Sequence, residues 1–116
     1  MSWNILITSA DSKEKARTIA QHLLKNRLAG CVTVIPRVES TYWWKGKLER
    51  AREWLLLIKG RSSHFSKASR EIKKIHSYEC PEIISIPIQR GSADYLAWLD
   101  ASLGSKKLKV KSQKYK

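Results

Sequence analysis

Residues 31–59 read Cys-Val-Thr-Val-Ile-Pro-Arg-Val-Glu-Ser-Thr-Tyr-Trp-Trp-Lys-Gly-Lys-Leu-Glu-Arg-Ala-Arg-Glu-Trp-Leu-Leu-Leu-Ile-Lys. Two β-rich runs, 31–35 and 53–59, are joined by extended residues and the turn signal Lys45-Gly46-Lys47, so the stretch reads as one long hairpin. From Val32 to Trp44 an extended chain spans about 43 Å at ~3.3 Å per residue. A compact domain of this length is only about 35 Å across, from a radius of gyration near 13 Å. The hairpin must therefore bend or project. Pro36 supplies the bend, because it cannot donate to a ladder and favours a bulge or an edge. The projecting end carries Tyr42, Trp43 and Trp44, which would be an aggregation liability if left bare. They predict a partner surface.

Outward from the hairpin, residues 3–9 form a short apolar run expected to be a buried strand. Asp11 and Ser12 offer caps for a helix whose Ala16, Ile19, Ala20, Leu23, Leu24 and Leu28 make one apolar stripe. Gly30 is expected to stop that helix. On the other side, Ser62 and Ser63 are expected to cap a second helix bearing Phe65, Ala68, Ile72 and Ile75. Pro81 opens a fourth strand over 82–88. Gly91 and Ser92 lead into a last short helix with Tyr95, Leu96, Trp98, Leu99 and Leu103, closed by Gly104. The order βαββαβ plus a helix predicts an α+β, ferredoxin-like sandwich with both long helices on one face of a four-stranded sheet. Residues 1–104 are expected to form this domain and 105–116 a Lys-rich, disordered tail.

The 116 residues fit one domain, and no apolar run approaches the ~20 residues of a membrane span. No signal peptide is evident, and Cys31 and Cys80 form neither a disulfide framework nor a CxxC motif, so the expected home is the cytoplasm. The net charge is +13, and six Lys of residues 105–116 account for part of it, leaving +7 on the body. That balance allows weak nucleic-acid binding through the tail. The basic-Gly-aromatic pattern of RNA-recognition domains is missing, as are paired thiols in the first loop, phosphate-cradling glycines and a GxSxG elbow. No specific acid–base pairing for nucleophilic catalysis stands out. His22 and His64 are expected to be solvated. His76 and Cys80, flanking Glu79, are the candidate metal donors, and a thiolate–imidazole pair favours Cu or Zn. The plain alternative is a helix-end histidine with Cys80 as a small buried hydrophobe.

Taken together, residues 23–32 (Leu-Leu-Lys-Asn-Arg-Leu-Ala-Gly-Cys-Val), 42–47 (Tyr-Trp-Trp-Lys-Gly-Lys), His76-Ser77-Tyr78, Pro81-Glu82-Ile83-Ile84 and 94–99 (Asp-Tyr-Leu-Ala-Trp-Leu) resemble the CutA-type divalent-cation tolerance proteins. The resemblance implies a non-enzymatic ferredoxin-like subunit in a homotrimer, related to PII-type regulators, with a role in tolerance of divalent metals, copper especially. It implies that Tyr42, Trp43 and Trp44 meet neighbouring subunits. It also implies that Cys31, Trp44, Glu53, Lys59, His76 and Tyr78 line inter-subunit clefts, where a metal ion or small anion would bind. Ser77 departs from the family's usual proline, Thr33 from asparagine and Gly60 from threonine. Ile7 and Ile75 stand where some members ligate metal, leaving His76 alone. Two other readings stay open: a PII-like small-molecule sensor, and a basic nucleic-acid-binding module.

Overall fold

The computed structural model describes residues 2–104. The elements run β1 (Trp3–Ala10), α1 (Lys13–Lys25), β2 (Cys31–Trp44), β3 (Lys47–Arg61), a 3-10 turn (Ser62–His64), α2 (Phe65–Ile75), β4 (Ile84–Ile88) and α3 (Ala93–Gly104). The four strands make one antiparallel sheet in the order β2-β3-β1-β4. This is the expected ferredoxin-like arrangement. The Lys-rich stretch 105–116, expected as a tail, lies outside the described residues.

The long hairpin follows from three local features. Lys45 (φ 50°) and Gly46 (φ 79°) are both left-handed, the two-residue turn whose twist matches that of the strands. Ladder pairing then runs from Trp44↔Lys47 to Val38↔Glu53, and resumes at Ile35↔Leu55. Between them Pro36 and Arg37 face the single residue Trp54, a bulge in which Arg37 has φ 58°. The expected bend is therefore a bulge, and the ribbon beyond it makes the molecule 48 Å long against 28 and 26 Å in the other directions.

The main core lies between the sheet and the helices. Leu6, Leu56 and Ile58 meet Ala16, Ile19 and Leu23 of α1, with Ala68 and Ile72 of α2. Lys15 donates from Nζ to the Ile75 carbonyl at 2.7 Å, tying α1 to the last turn of α2. A second, smaller core sits on the opposite face, where Leu99 and Leu103 of α3 cover Trp3. Arg61 pairs with Asp100 at 2.6 Å and Arg27 donates to the Ser102 carbonyl at 2.7 Å, holding α3 down.

Several expected details differ. α1 ends at Lys25, because Leu28 N–H bonds the Leu23 carbonyl (2.9 Å) and Arg27 N–H that of Leu24 (3.1 Å) around a left-handed Arg27. Gly30 is thus not the stop. It is a packing site, since a Cβ there would lie 2.5 Å from Leu99 Cδ1. Leu24, expected on the stripe, is 37% exposed. Ser12, not Asp11, caps α1 by accepting from Lys15 N–H. Ser62 and Ser63 wind the 3-10 turn and give α2 no side-chain cap; His64 holds the cap position. β4 begins at Ile84 rather than at 82.

Candidate functional site

Side chains alternate across a strand, so the hairpin has two faces of different chemistry. The pairing register puts Tyr42 opposite Glu49 and Trp44 opposite Lys47, on the face that also carries Glu53. Trp43, opposite Leu48, is on the reverse face and 71% exposed. The three aromatics expected to act together are therefore divided by the pleat.

The first face forms one wall of a groove of about 850 Å³. Tyr42, Trp44, Glu49 and Glu53 come from the hairpin, Ser9 from the end of β1, and Tyr78, Glu79, Cys80 and Glu82 from the segment after α2. Four of the chain's ten acidic residues gather here, although the whole chain is strongly basic. Lys45 lies over the Trp44 ring at 5.8 Å, at the groove's outer end.

A hydrogen-bond network closes the inner end. Glu53 is buried and accepts on one oxygen from both Tyr78 (2.7 Å) and Ser9 Oγ (3.2 Å). Burial first, and then the Glu53 hydrogen bond and charge, push the Tyr78 hydroxyl well above its ordinary range. His76 is held on both sides. Its Nδ1 accepts from Tyr78 N–H at 3.0 Å, so the ring proton is on Nε2, which donates to the Ser9 carbonyl at 2.6 Å. The His76 and Tyr78 rings stack obliquely, with centroids 4.9 Å apart. Ser9, Glu49 and Glu82 were invisible as site residues from sequence. The alternation of Tyr42, Trp44, Glu49 and Glu53 across the turn is the signal that finds Glu49.

The other expected residues fall elsewhere. Lys59 donates to Thr33 Oγ1 at 3.0 Å and points its ammonium at Cys31 Sγ, 3.8 Å away, on the same sheet face as Glu53. Lys59 lies six positions along β3 from Glu53, roughly 20 Å away. The expected cleft set thus divides into Trp44, Glu53 and Tyr78 in the groove and the Cys31–Lys59 pair at the far end. His22 is not simply solvated: its Nε2 meets Glu71 at 2.7 Å, and the histidine and Lys74 together hold that carboxyl below its ordinary value. His64 is half-buried, and burial, with Arg61 and Lys67 near it, lowers its pKa.

The metal donor set is thin in one chain. Among the described residues no group of three or more His, Cys, Asp and Glu is arranged to hold an ion. His76 has no unused ring lone pair, and Cys80 is exposed at the groove rather than buried. A single subunit does not fit a complete metal centre. No helix among the described residues is long and apolar enough to cross a membrane.

Residues 4–102 match the family described as CutA1 divalent ion tolerance protein. A divalent-cation tolerance protein of Archaeoglobus fulgidus is 41% identical over 100 residues, covering 86% of this chain and 97% of that one. Its solved structure, designated a periplasmic divalent cation tolerance protein, superposes with a TM-score of 0.84 at 40% identity over 87% of this chain and 98% of the other. A rice relative, designated chloroplastic, is 37% identical over 98 residues, covering 84% of this chain and 55% of that protein. The two designations overturn the cytoplasmic expectation. Proteins with this domain occupy other compartments, so a reduced thiol count and an unremarkable N-terminus do not settle the address.

Proposed function

The chain belongs to the CutA1 divalent ion tolerance family, and from that premise we propose that it acts as a non-enzymatic homotrimer in the response to divalent metal ions, copper among them. The observation that carries the assembly is the sheet face opposite α1 and α2. Beyond α3 a set of apolar side chains on this face is uncovered, with Ile35 39% exposed and Ile84 and Ile86 each 49% exposed. Burying such a face against copies of itself gains the usual hydrophobic free energy and closes the molecule symmetrically. The acidic groove opens at the edge of this face, so a neighbouring copy would complete it. Tyr42 and Trp44 are its aromatic contribution to the contact, while Trp43 lies on the reverse side of the ribbon.

The same reading assigns residues 1–104 to the working domain and 105–116 to a dispensable extension. In the groove, Glu49, Glu53, Glu79 and Glu82 favour a cation over the small anion of a PII-like sensor. Ligation by His76 and Cys80 needs donors from a second copy, and His76 must give up its bond to Tyr78 N–H or to the Ser9 carbonyl. Light scattering at micromolar concentration should give three chain masses; a stable monomer overturns the assembly. Titration of the parent and of His76→Ala with Cu(I) and Zn(II) tests the ligand assignment. Weaker binding by the variant supports it, and equal affinities remove His76 from the site.

A further inference from the structure

The bulge at Pro36 and Arg37 opens a second groove, of about 450 Å³, on the helix side of the sheet. Val34, Pro36 and the half-buried ring of Trp54 form its floor; Lys13 and Arg17 of α1 and Arg37 of the bulge form its rim. None of the three cations belongs to an ion pair among the described residues, whose pairs are His22–Glu71, Arg61–Asp100 and Lys74–Glu71. Strand alternation carries the same surface outward. Arg52 and Arg50 follow Trp54 on this face of β3, and the exposed Trp43 ring lies on it across the ribbon. Glu39 sits there too, opposite Arg52. The hairpin therefore separates charge: carboxylates line its other face, and cations interleaved with indole rings line this one.

We propose that this basic face binds single-stranded nucleic acid, with phosphates on Lys13, Arg17 and Arg37, a base stacked on Trp54, and the backbone continuing over Arg52 and Arg50. A cationic track with stacking platforms is the composition that holds unpaired strands with little regard to sequence. A duplex hides its base faces, which would leave the apolar floor unused. Polyglutamate could answer the charges but has no flat rings to stack. The track lies on the opposite side of the sheet from the face proposed for assembly, so an assembled protein still presents it. The two readings fail independently.

The test uses the full chain and fluorescence anisotropy with a labelled oligouridylate and a duplex of equal length, over a range of salt. The parent should bind the single strand more tightly than the duplex. The double variant Arg17→Gln/Arg37→Gln should lose affinity about tenfold and flatten the slope of log K against log salt by about 1.4, since each phosphate contact to a single strand is worth ~0.7. Light scattering checks that the variant keeps the parent's mass. Absence of binding, or unchanged affinity in the double variant, overturns the proposal. So does binding abolished by changing the six Lys of residues 105–116 to Gln while the double variant binds like the parent. Equal binding of the duplex, or competition by polyglutamate as effective as that by unlabelled oligouridylate, overturns the ligand class.

Discussion

The two halves of the β2–β3 ribbon share one ladder but are held in place by different forces. In the inner half, Leu56 and Ile58 are almost wholly buried between the sheet and the helices. In the outer half, every residue from 41 to 50 is exposed. An isolated two-stranded ribbon is marginal in water. The outer half persists as a continuation of a buried one, with its twist set by the bulge at Pro36-Arg37 and its end by the Lys45-Gly46 turn. Where packing no longer constrains the side chains, they are available for chemistry, and both grooves begin at this boundary.

The largest expected effects test this contrast directly. Leu56→Ala should cost about 2–5 kcal/mol in denaturant unfolding, as truncations at fully buried sites do. Leu48→Ala, at a position 62% exposed in the outer half, should stay within about 0.5 kcal/mol. Equal losses would mean that the outer ribbon contributes a core of its own. Next, Trp44→Ala should leave the subunit's secondary structure intact while weakening assembly by about 2 kcal/mol, read by light scattering on dilution. An unchanged mass at every concentration would remove Trp44 from the interface.

A smaller effect, of opposite sign, belongs to the inner sheet. Thr8 is fully buried and its hydroxyl has no partner among the described residues. Thr8→Val keeps the shape and removes the unpaired group, so it should raise the unfolding free energy by about 1 kcal/mol. The last effects appear as pH moves away from neutrality, first on the acid side through His64. Tyr78 is raised above its ordinary 10.0 by burial and by Glu53, so its stabilisation is present below that pH and is lost as pH rises beyond it. His64 and Glu71 are lowered from 6.5 and 4.5, so their contributions are present above those values and are lost as pH falls beneath them. Phenolate absorbance should show one tyrosine lagging behind the rest. If all ionise together, Tyr78 is not bound to Glu53 in solution.

Much of this was legible in the sequence. The turn at Lys45-Gly46, the irregularity at Pro36, the βαββαβ order and the family resemblance all came from residues near one another in the chain. The site was less so. His76 and Tyr78 were visible, but Ser9, whose carbonyl accepts from His76 and whose hydroxyl donates to Glu53, looked like any strand-end serine. Gly30 looked like a helix stop because glycine after an apolar stripe usually is one. Its conformational freedom is not used there; the close approach of Leu99, nearly seventy residues later, is what excludes a side chain.

Periodicity, turn chemistry and propensity act over a few residues, and so the strands, the helices, their order and the overlong hairpin can be read along the chain. Which carboxylates meet in a groove, which nitrogen of His76 carries the proton, and which way each tryptophan of the tip faces depend on register across strands far apart in the chain. A one-residue change of register would exchange the acidic and basic faces of the ribbon. Only the packed sheet, with the bulge absorbing one extra residue opposite Trp54, decided which face is which.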